Sequence, residues 1–286
     1  MPVDFAGYPC DYDTIHAMVQ EAGVRKLFLA QGETQKKLGR ILVLADAAHS
    51  LGASAGSRKT AALADASVFS FHAVKNLVTA EGGAVALCLP APFYNEEEYR
   101  SLCIKSLHGQ NKDALAKLQK GNWRYDIVEA GYKCNMTDIA AAIGLVELER
   151  YDSDTLKKRK HIVSSYTEML SKHSWAELPE YKSPEKESSY HLYPLRIKGI
   201  NEEQRDEIIR KIFDKEVSVN VHFIPVPMMS FYRSLGYDIH NYPIAFDNYA
   251  REISLPVFYD LSDEQLKTVV EAVVESVEST VGPRRS

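Results

Sequence analysis

Three short apolar runs in the first third of the chain constrain its fold more than any other feature. They cover residues 41–45, 66–71 and 83–89, and each carries Val, Ile or Phe. Each run has the length of a strand, and continuous apolar runs are typical of strands that are buried on both faces. Because stretches with helical periodicity surround them, we predict an α/β fold in which helices cover a sheet.

Charged residues stand just after two of these runs. Asp46 ends the run ILVLA, and Lys75 follows the run that ends Ser-Phe-His. Open α/β sheets bind ligands at the carboxyl ends of their strands. A carboxylate at such a position can keep the pyridine nitrogen of pyridoxal phosphate (PLP) protonated, so that the cofactor acts as an electron sink. The alternative for Asp46 is an ordinary cap of the turn or helix that follows.

The residues around Lys75 extend this interpretation. Lys75 has apolar neighbours, and a desolvated lysine has a lowered pKa and can form a Schiff base, whereas the alternative is a surface lysine with a buried stem. Ser70 can reach an anionic group of the same ligand, and the pair Gly82-Gly83 permits a tight turn. His49 either lies near the cofactor ring or is a half-buried histidine that the backbone satisfies.

Composition argues against several classes of function. The net charge of −5 is small for 286 residues and no basic face is obvious in the sequence, so we expect no nucleic-acid partner. No apolar run approaches the ~20 residues that span a bilayer, and the first residues do not resemble a signal peptide. The four cysteines are scattered without a CxxC pair, so we expect no metal site, no disulfide framework and a cytoplasmic protein.

Periodicity and capping signals place the other elements. Helices are predicted in the ranges 11–21, 95–107, 136–151, 154–172, 201–215 and 246–253, and in a closing helix that opens with a capping box at Ser262 and Gln265. Strands are predicted at 191–197 and 217–226, and residues 24–29 are ambiguous between a strand and a helix end. Residues 30–40 fit neither, and residues 108–130 form a long loop of the kind that is often functional.

Long motifs carry a resemblance to a known family. The stretches are DAAHSLGA, FSFHAVKNLVTAEGGA, GYKCNMTDIAAAIGLVEL, HLYPLRI, VHFIPVPMMSFYR and SLPVFYDLSDEQ. They resemble the DegT/DnrJ/EryC1/StrS family of PLP-dependent sugar aminotransferases. The resemblance implies the PLP-dependent transferase fold of the aspartate aminotransferase type (fold type I), and a homodimer. It divides the chain into the remainder of a large PLP-binding domain (1–150) and a small α+β C-terminal domain (151–286).

The resemblance also assigns roles to the residues near the cofactor. Lys75 corresponds to the catalytic lysine that carries PLP, and Asp46 to the partner of the pyridine nitrogen. His49 corresponds to the residue at the ring oxygen, and Ser70 to the hydroxyl that binds the phosphate.

Four further residues are assigned in the same way. Lys133 and Asn135 lie in a loop that, in this family, reaches the cofactor phosphate of the partner subunit. His72 and His222 correspond to positions near the sugar. No residue is assigned to a metal.

The activity that the resemblance implies is amino transfer, usually from glutamate, to a nucleotide-linked keto-sugar, with Lys75 moving the proton. Some relatives are dehydratases with His in place of this lysine, so the Lys favours transamination. Family members also carry an N-terminal piece with a Ser-Gly-Thr loop, for which no equivalent is found here, so we expect a large domain that is incomplete at its N-terminus. The alternatives are therefore an inactive remnant that serves as an interaction or regulatory subunit, or a PLP lyase or dehydratase of the same family.

Overall fold

The computed structural model describes residues 1–112 and 123–282 as two compact units. The first unit contains Met1–Phe5 and Pro9–Tyr151, and the second contains Ala6–Tyr8 and Asp152–Ser286. Residues 113–122, in the predicted loop 108–130, and the last four residues lie outside the described part of the chain. In the part that is described, no helix combines the length and apolarity needed to cross a bilayer.

The predicted apolar runs form one sheet of the first unit. Its strands are β1 (Leu44–Asp46), β4 (Ala66–Ser70) and β5 (Gly83–Leu87), and within the described residues their order is β1-β4-β5. β1 and β4 are parallel, and β4 and β5 are antiparallel. Val3 extends the sheet through a parallel bridge to Asp46. The two-residue strands β2 (Ser54–Ala55) and β3 (Arg58–Lys59) form a separate small hairpin.

Three short helices precede β1 in the first unit. Helix α1 (Tyr12–Gln20) lies in the predicted range and begins where the side chain of Asp11 accepts a hydrogen bond from the Thr14 amide. The ambiguous segment forms helix α2 (Ala22–Leu27), and residues 30–40 contain the short helix α3 (Glu33–Leu38). The apolar pattern missed α3 because it buries none of its residues. It ends at Gly39, whose φ of 67° suits glycine.

Two further helices of the first unit were predicted. Helix α4 (Asn95–Ser106) has acidic residues in its first turn, where their negative charge interacts favourably with the helix dipole. Helix α5 (Asp138–Arg150) is capped by the Thr137 side chain and buries none of its residues in the single chain. Its aliphatic side chains, among them Ile139, Leu145, Val146 and Leu148, remain 59–78% exposed.

The second unit has its own core. Helix α6 (Leu156–Leu170) follows a π-helical turn, and Ile162, Tyr166 and Leu170 are fully buried on its apolar side. The sheet is antiparallel, in the order β6-β8-β9 within the described residues. Its strands are β6 (Ala176–Glu177), β8 (Tyr193–Ile197) and β9 (Glu252–Leu255), and the short β7 covers Lys186–Glu187.

Helices enclose this core. Helix α7 (Glu202–Phe213) starts with a capping box at Asn201, and α10 (Asp263–Val281) starts with the predicted one at Ser262. Between them lie α8 (Ser230–Ser234) and α9 (Pro243–Arg251). The apolar faces of α7 and α10 contribute Ile208, Ile212, Val273 and Val277, all fully buried.

The predicted strand at 217–226 is wrong. Within this segment only Asn220 pairs with β9, through amide hydrogen bonds of 3.1 and 2.7 Å in both directions with Ser254. Alternating apolar residues suggested a strand, but Pro225 and Pro227 lack the amide hydrogen that would continue a ladder. The chain instead makes a 3-10 turn over Val226–Met228.

Glu252, at the start of β9, is a buried carboxyl group of the second unit. It is 4% exposed, and burial raises its pKa from the ordinary 4.5 to about 7, although hydrogen bonds from Ser254 and the His222 amide, and the charge of Arg205, oppose the shift. Between these two pKa values the folded chain holds a proton that the unfolded chain releases. Stability therefore falls as pH rises through this window.

Replacing Glu252 with Gln is expected to remove this pH dependence. The shift corresponds to roughly 3 kcal/mol of unfolding free energy, lost between about pH 4.5 and 7 in the unmodified chain. Denaturant unfolding of the two chains at pH 4.5, 6 and 8 measures the difference. Curves of stability against pH that run parallel for the two chains would contradict the assignment.

Candidate active site

The sheet register brings Asp46 and Ser70 to one edge of the first unit. Asp46 is paired with Val68 on the parallel strand β4, and Ser70 ends that strand two residues later, opposite Gly83. Asp46 is half-buried, and its Oδ1 accepts a hydrogen bond of 3.1 Å from the Ala48 amide. Both side chains therefore lie at the carboxyl ends of strands, where α/β sheets bind ligands.

Lys75 lies in the loop that joins β4 to β5. The loop is closed where the Phe71 amide donates to the Gly82 carbonyl (2.8 Å) and the Thr79 amide donates to the Phe71 carbonyl (2.9 Å). Lys75 is half-buried, and burial lowers the pKa of its amine, while the negative charge of Asp46 acts in the opposite direction. The amine is thus more readily neutral than a surface lysine, with a carboxylate close enough to affect it.

A buried hydrogen-bonded chain anchors the residue next to Lys75. Asn76 is 7% exposed, and its Nδ2 donates to the Tyr151 hydroxyl (3.3 Å). That hydroxyl donates to the carbonyl of Leu51 (2.6 Å), in the segment that follows His49. The loop of Lys75 is in this way tied to the segment that follows Asp46 and His49. The sequence offered only the adjacency of Asn76 to Lys75 as a signal.

Asp4 is a second carboxylate beside β1 that the sequence did not single out. It is 1% exposed, and it accepts hydrogen bonds from the Cys10 amide (2.9 Å), the Tyr12 hydroxyl (2.8 Å) and the Ser50 hydroxyl (2.7 Å). Its own amide donates to the Asp46 carbonyl (3.0 Å). Burial, then the charge of Asp4, raise the pKa of the Tyr12 phenol. Asp4 therefore links, through hydrogen bonds, the strand that carries Asp46 and the turn that carries His49.

The two histidines predicted for this region occupy different settings. His49 is half-buried with a buried Nδ1, and its ring centroid lies 6.5 Å from that of Phe5. His72 is exposed, and its Nε2 lies 3.6 Å from a carboxylate oxygen of Glu81. An ion pair forms there when His72 is protonated. The His72 amide also donates to the Ser70 hydroxyl (3.4 Å), so these two residues share one turn.

The remaining predicted residues lie outside this cluster. Lys133 and Asn135 are exposed, and the Lys133 amine donates to the Asn135 side-chain oxygen. Their segment is held by the Tyr132 amide, which donates to the Lys105 carbonyl (2.6 Å). His222 belongs to the second unit, where its Nδ1 lies 2.8 Å from the Ser254 hydroxyl oxygen.

An apolar groove of about 600 Å³ also lies in the first unit, and it contains none of the predicted site residues. Its lining includes Phe28, Leu38, Leu42, Leu87, Phe93 and Leu102. The groove is also lined by polar side chains, among them Lys105, Glu98 and Ser101, but none of its lining residues belongs to the motifs that carry the family resemblance. We therefore place the candidate active site at the strand ends.

A carboxylate at the end of one strand and a desolvated lysine in the loop after the neighbouring strand are the arrangement that PLP-type α/β enzymes use. The sequence profile of the DegT/DnrJ/EryC1/StrS aminotransferase family matches residues 33–274. The chain belongs to this family, which confirms the resemblance that its motifs predicted.

Individual relatives agree with the family. The spore coat polysaccharide biosynthesis protein SpsC of Bacillus subtilis is 33% identical over 288 residues, which cover 97% of this chain and 66% of SpsC. The UDP-4-amino-4,6-dideoxy-N-acetyl-beta-L-altrosamine transaminase of Campylobacter jejuni is 30% identical over 276 residues, which cover 96% of this chain and 65% of that enzyme. The chain thus spans about two thirds of the length of these curated relatives.

A solved structure confirms the fold. Spr1654 of Streptococcus pneumoniae, assigned as a sugar aminotransferase, in its pyridoxamine phosphate (PMP) form, superposes with a TM-score of 0.90 at 42% identity. The match covers 97% of this chain and 69% of that one. The same protein is also known in a PLP form, so the predicted cofactor is that of the family. The chain has the PLP-dependent transferase fold, in its α/β form.

The residues present fit this cofactor chemically. PLP needs an amine that is readily neutral, and Lys75 has one because burial lowers its pKa. It also needs a carboxylate for its pyridine nitrogen, which Asp46 offers beside Lys75, and hydrogen-bond donors for its phosphate, one of which Ser70 can provide. His49, half-buried in the turn that follows Asp46, could provide a further hydrogen-bonding group.

Proposed function

We propose that the chain is a PLP-dependent aminotransferase, which moves an amino group from an amino-acid donor, glutamate, to a nucleotide-linked keto-sugar. The observation that carries this proposal is the half-buried Lys75, whose pKa burial lowers, beside the charge of Asp46. Desolvation raises the fraction of neutral amine, which is the form that reacts, whereas a lysine with a purely structural role does not need a neutral amine.

The roles of the residues follow from their chemistry. When bound, PLP supplies the electron sink that stabilises negative charge at the reacting carbon. Lys75 Nζ would move the proton between the substrate carbon and the C4′ carbon of the cofactor, as general base and then general acid. Asp46 would hold a proton at the pyridine nitrogen, Ser70 would bind the phosphate, and His49 would contact the ring oxygen. His72 and His222 are proposed to contact the sugar.

The proposed substrate and partner have separate support. The Campylobacter relative is by name a transaminase of a UDP-linked sugar, and the Bacillus relative belongs to polysaccharide biosynthesis, which favours a nucleotide-linked sugar here. The exposed aliphatic side chains of helix α5 favour a second copy of the chain as partner, because such a surface is stabilised by burial. We propose that Lys133 and Asn135 then reach the cofactor phosphate of that copy.

Covalent labelling tests the cofactor site without an activity assay. The purified chain is mixed with PLP, reduced with sodium borohydride, digested and analysed by mass spectrometry. We expect the label at Lys75, because its neutral amine reacts at lower PLP concentration than the fully charged surface lysines. A label spread over the exposed lysines, with no preference for Lys75, would contradict the site.

A second arm of this experiment tests amino transfer. With glutamate added before the borohydride, we expect pyridoxamine phosphate to form and the label at Lys75 to decrease. Asp46→Asn is expected to retain labelling but to slow this conversion by about 10²-fold or more, because an amide cannot hold the pyridine proton. Labelling without any pyridoxamine phosphate would rule out transamination and leave the lyase alternative.

A further inference from the structure

A chain of three polar side chains in the second unit ends at His222. The Ser254 hydroxyl lies 2.8 Å from His222 Nδ1 and also hydrogen-bonds to Oε1 of Glu252. The other carboxylate oxygen of Glu252 accepts the backbone amide of His222 (2.9 Å). Ser254 and Glu252 are 3% and 4% exposed, so water does not compete strongly for these bonds.

The chemistry of these groups fixes the direction of the hydrogen bonds. An ionised carboxylate has no proton to give, so the Ser254 hydroxyl donates its only proton to Glu252. The Ser254 oxygen must then accept a hydrogen bond from His222, which places the ring proton on Nδ1. Because a neutral imidazole has one N–H group, Nε2 becomes the acceptor nitrogen of the ring.

Two other groups act on Glu252. The guanidinium of Arg205 attracts the ionised form, and its side chain is 2% exposed, stacked 4.7 Å over the Tyr249 ring with a hydrogen bond of 2.7 Å to the Tyr249 carbonyl. The phenol of Tyr181 also lies near the carboxylate, and its pKa is raised mainly by burial and partly by Tyr193 and Glu252. Because the pKa of Glu252 is about 7, its side chain is ionised above neutral pH.

We propose that Glu252 and Ser254 are positioning residues that hold His222 with its proton on Nδ1, so that Nε2 accepts a hydrogen bond from a sugar hydroxyl of the substrate. The inference rests on the proposed function, which assigns His222 to the sugar. It adds the two residues that set the tautomer. In water a neutral histidine side chain interconverts between both tautomers, whereas a buried partner selects one.

Nuclear magnetic resonance tests the tautomer directly. The full chain is labelled with ¹⁵N-histidine, and the His222 signals are assigned by their loss in His222→Asn. At pH 8 we expect the ring proton on Nδ1 in the unmodified chain. In Ser254→Ala the Nε2-protonated form is expected to become the major one, because the acceptor that selects Nδ1–H is removed.

Controls separate this effect from a general disturbance of the core. Ser276→Ala removes another buried hydroxyl of the second unit, one that has no hydrogen-bond partner within the described residues, and should leave the His222 signals unchanged. If Ser254→Ala does not fold, Glu252→Gln serves instead, because loss of the negative charge weakens the selection of Nδ1–H. A proton on Nε2 in the unmodified chain, or ring signals that neither variant changes, would overturn the proposal.

The contact with sugar has its own readout. UDP-N-acetylglucosamine, a nucleotide-linked sugar with free hydroxyls, is added to the labelled chain. We expect the Nε2 signal of His222 to shift, and the probe concentration for half of this shift to rise about fivefold or more in Ser254→Ala. No shift in the unmodified chain would overturn the sugar contact. Because none of these signals needs PLP, failure of the labelling at Lys75 would be recognised separately.

Discussion

Lys75→Ala is expected to reduce amino transfer by more than about 10³-fold. In the proposed role, Lys75 both holds the cofactor through its neutral amine and moves the proton, and general acid–base catalysis alone contributes typically 10²–10⁴ in rate. Formation of pyridoxamine phosphate from PLP and glutamate measures the rate. The borohydride label at position 75 should disappear in the same variant.

Lys36→Ala is the matched control for this result. Lys36 belongs to the same unit, but its side chain is 61% exposed and pairs with Glu33 on the same short helix. Its removal should leave the rate of amino transfer within about twofold of the unmodified chain, because an exposed ion pair of this kind contributes little to stability. If Lys75→Ala retained most of the rate, Lys75 would not be the catalytic lysine.

Asp65→Asn is expected to lower the unfolding free energy by about 3–5 kcal/mol. Asp65 binds both terminal nitrogens of Arg40, at 2.7 and 2.8 Å, and its carboxylate also accepts the Val43 amide at 2.8 Å. The side chains of Arg40 and Asp65 are 5% and 3% exposed, so the substitution leaves the charge of Arg40 buried without its counter-ion. The pair joins the segment before β1 to the segment before β4, so the loss affects the sheet that carries the site.

The exposed pair of Asp13 and Arg58 provides the comparison. Its closest distance is similar, 2.6 Å, but the side chains are 77% and 45% exposed. Asp13→Asn should therefore change the unfolding free energy by less than about 1 kcal/mol. Denaturant unfolding of both variants measures the contrast, and equal losses would show that the burial of Arg40 and Asp65 is not the cause.

The same buried pair has a pH signature. Burial raises the pKa of Asp65, but the hydrogen bonds from Arg40 and Val43 and the charge of Arg40 outweigh it, so that the pKa is lowered. The stabilisation is thus present above the ordinary pKa of an aspartate and is lost as the pH falls toward the lowered value. Glu252 acts in the opposite sense, since its raised pKa weakens stability as pH rises. Stability is therefore expected to decline on both sides of an optimum.

Local features of this protein could be predicted from the sequence because their causes are local. The three apolar runs became the strands of one sheet, and Asp11, Thr137 and Ser262 capped the helices expected to follow them. A cap is a hydrogen bond between residues three apart, so a short window of sequence contains its full cause. The motifs around Asp46 and Lys75 are continuous stretches of the same kind, and they were sufficient to indicate the family.

Other predictions failed, or were never made, because their causes lie far apart in the chain. Residues 217–226 have the alternation of a strand, but pairing depends on which segment lies alongside, and only Asn220 pairs with β9. The bond from Ser50 to Asp4 spans 46 positions, and that from Asn76 to Tyr151 spans 75. Neither hydrogen bond produces a periodic pattern in the sequence from which it could be predicted.

The sequence by itself determined the family, the three strands of the first sheet, most of the longer helices and the identities of the residues proposed to carry the chemistry. Only the tertiary structure decided which of those residues lose water, and desolvation sets their chemistry because the charged form is penalised by burial. Lys75 becomes a readily neutral amine, and Glu252 a proton-binding group, through burial by residues distant in sequence. The identities of these side chains are written in the sequence, whereas their pKa values arise from the fold.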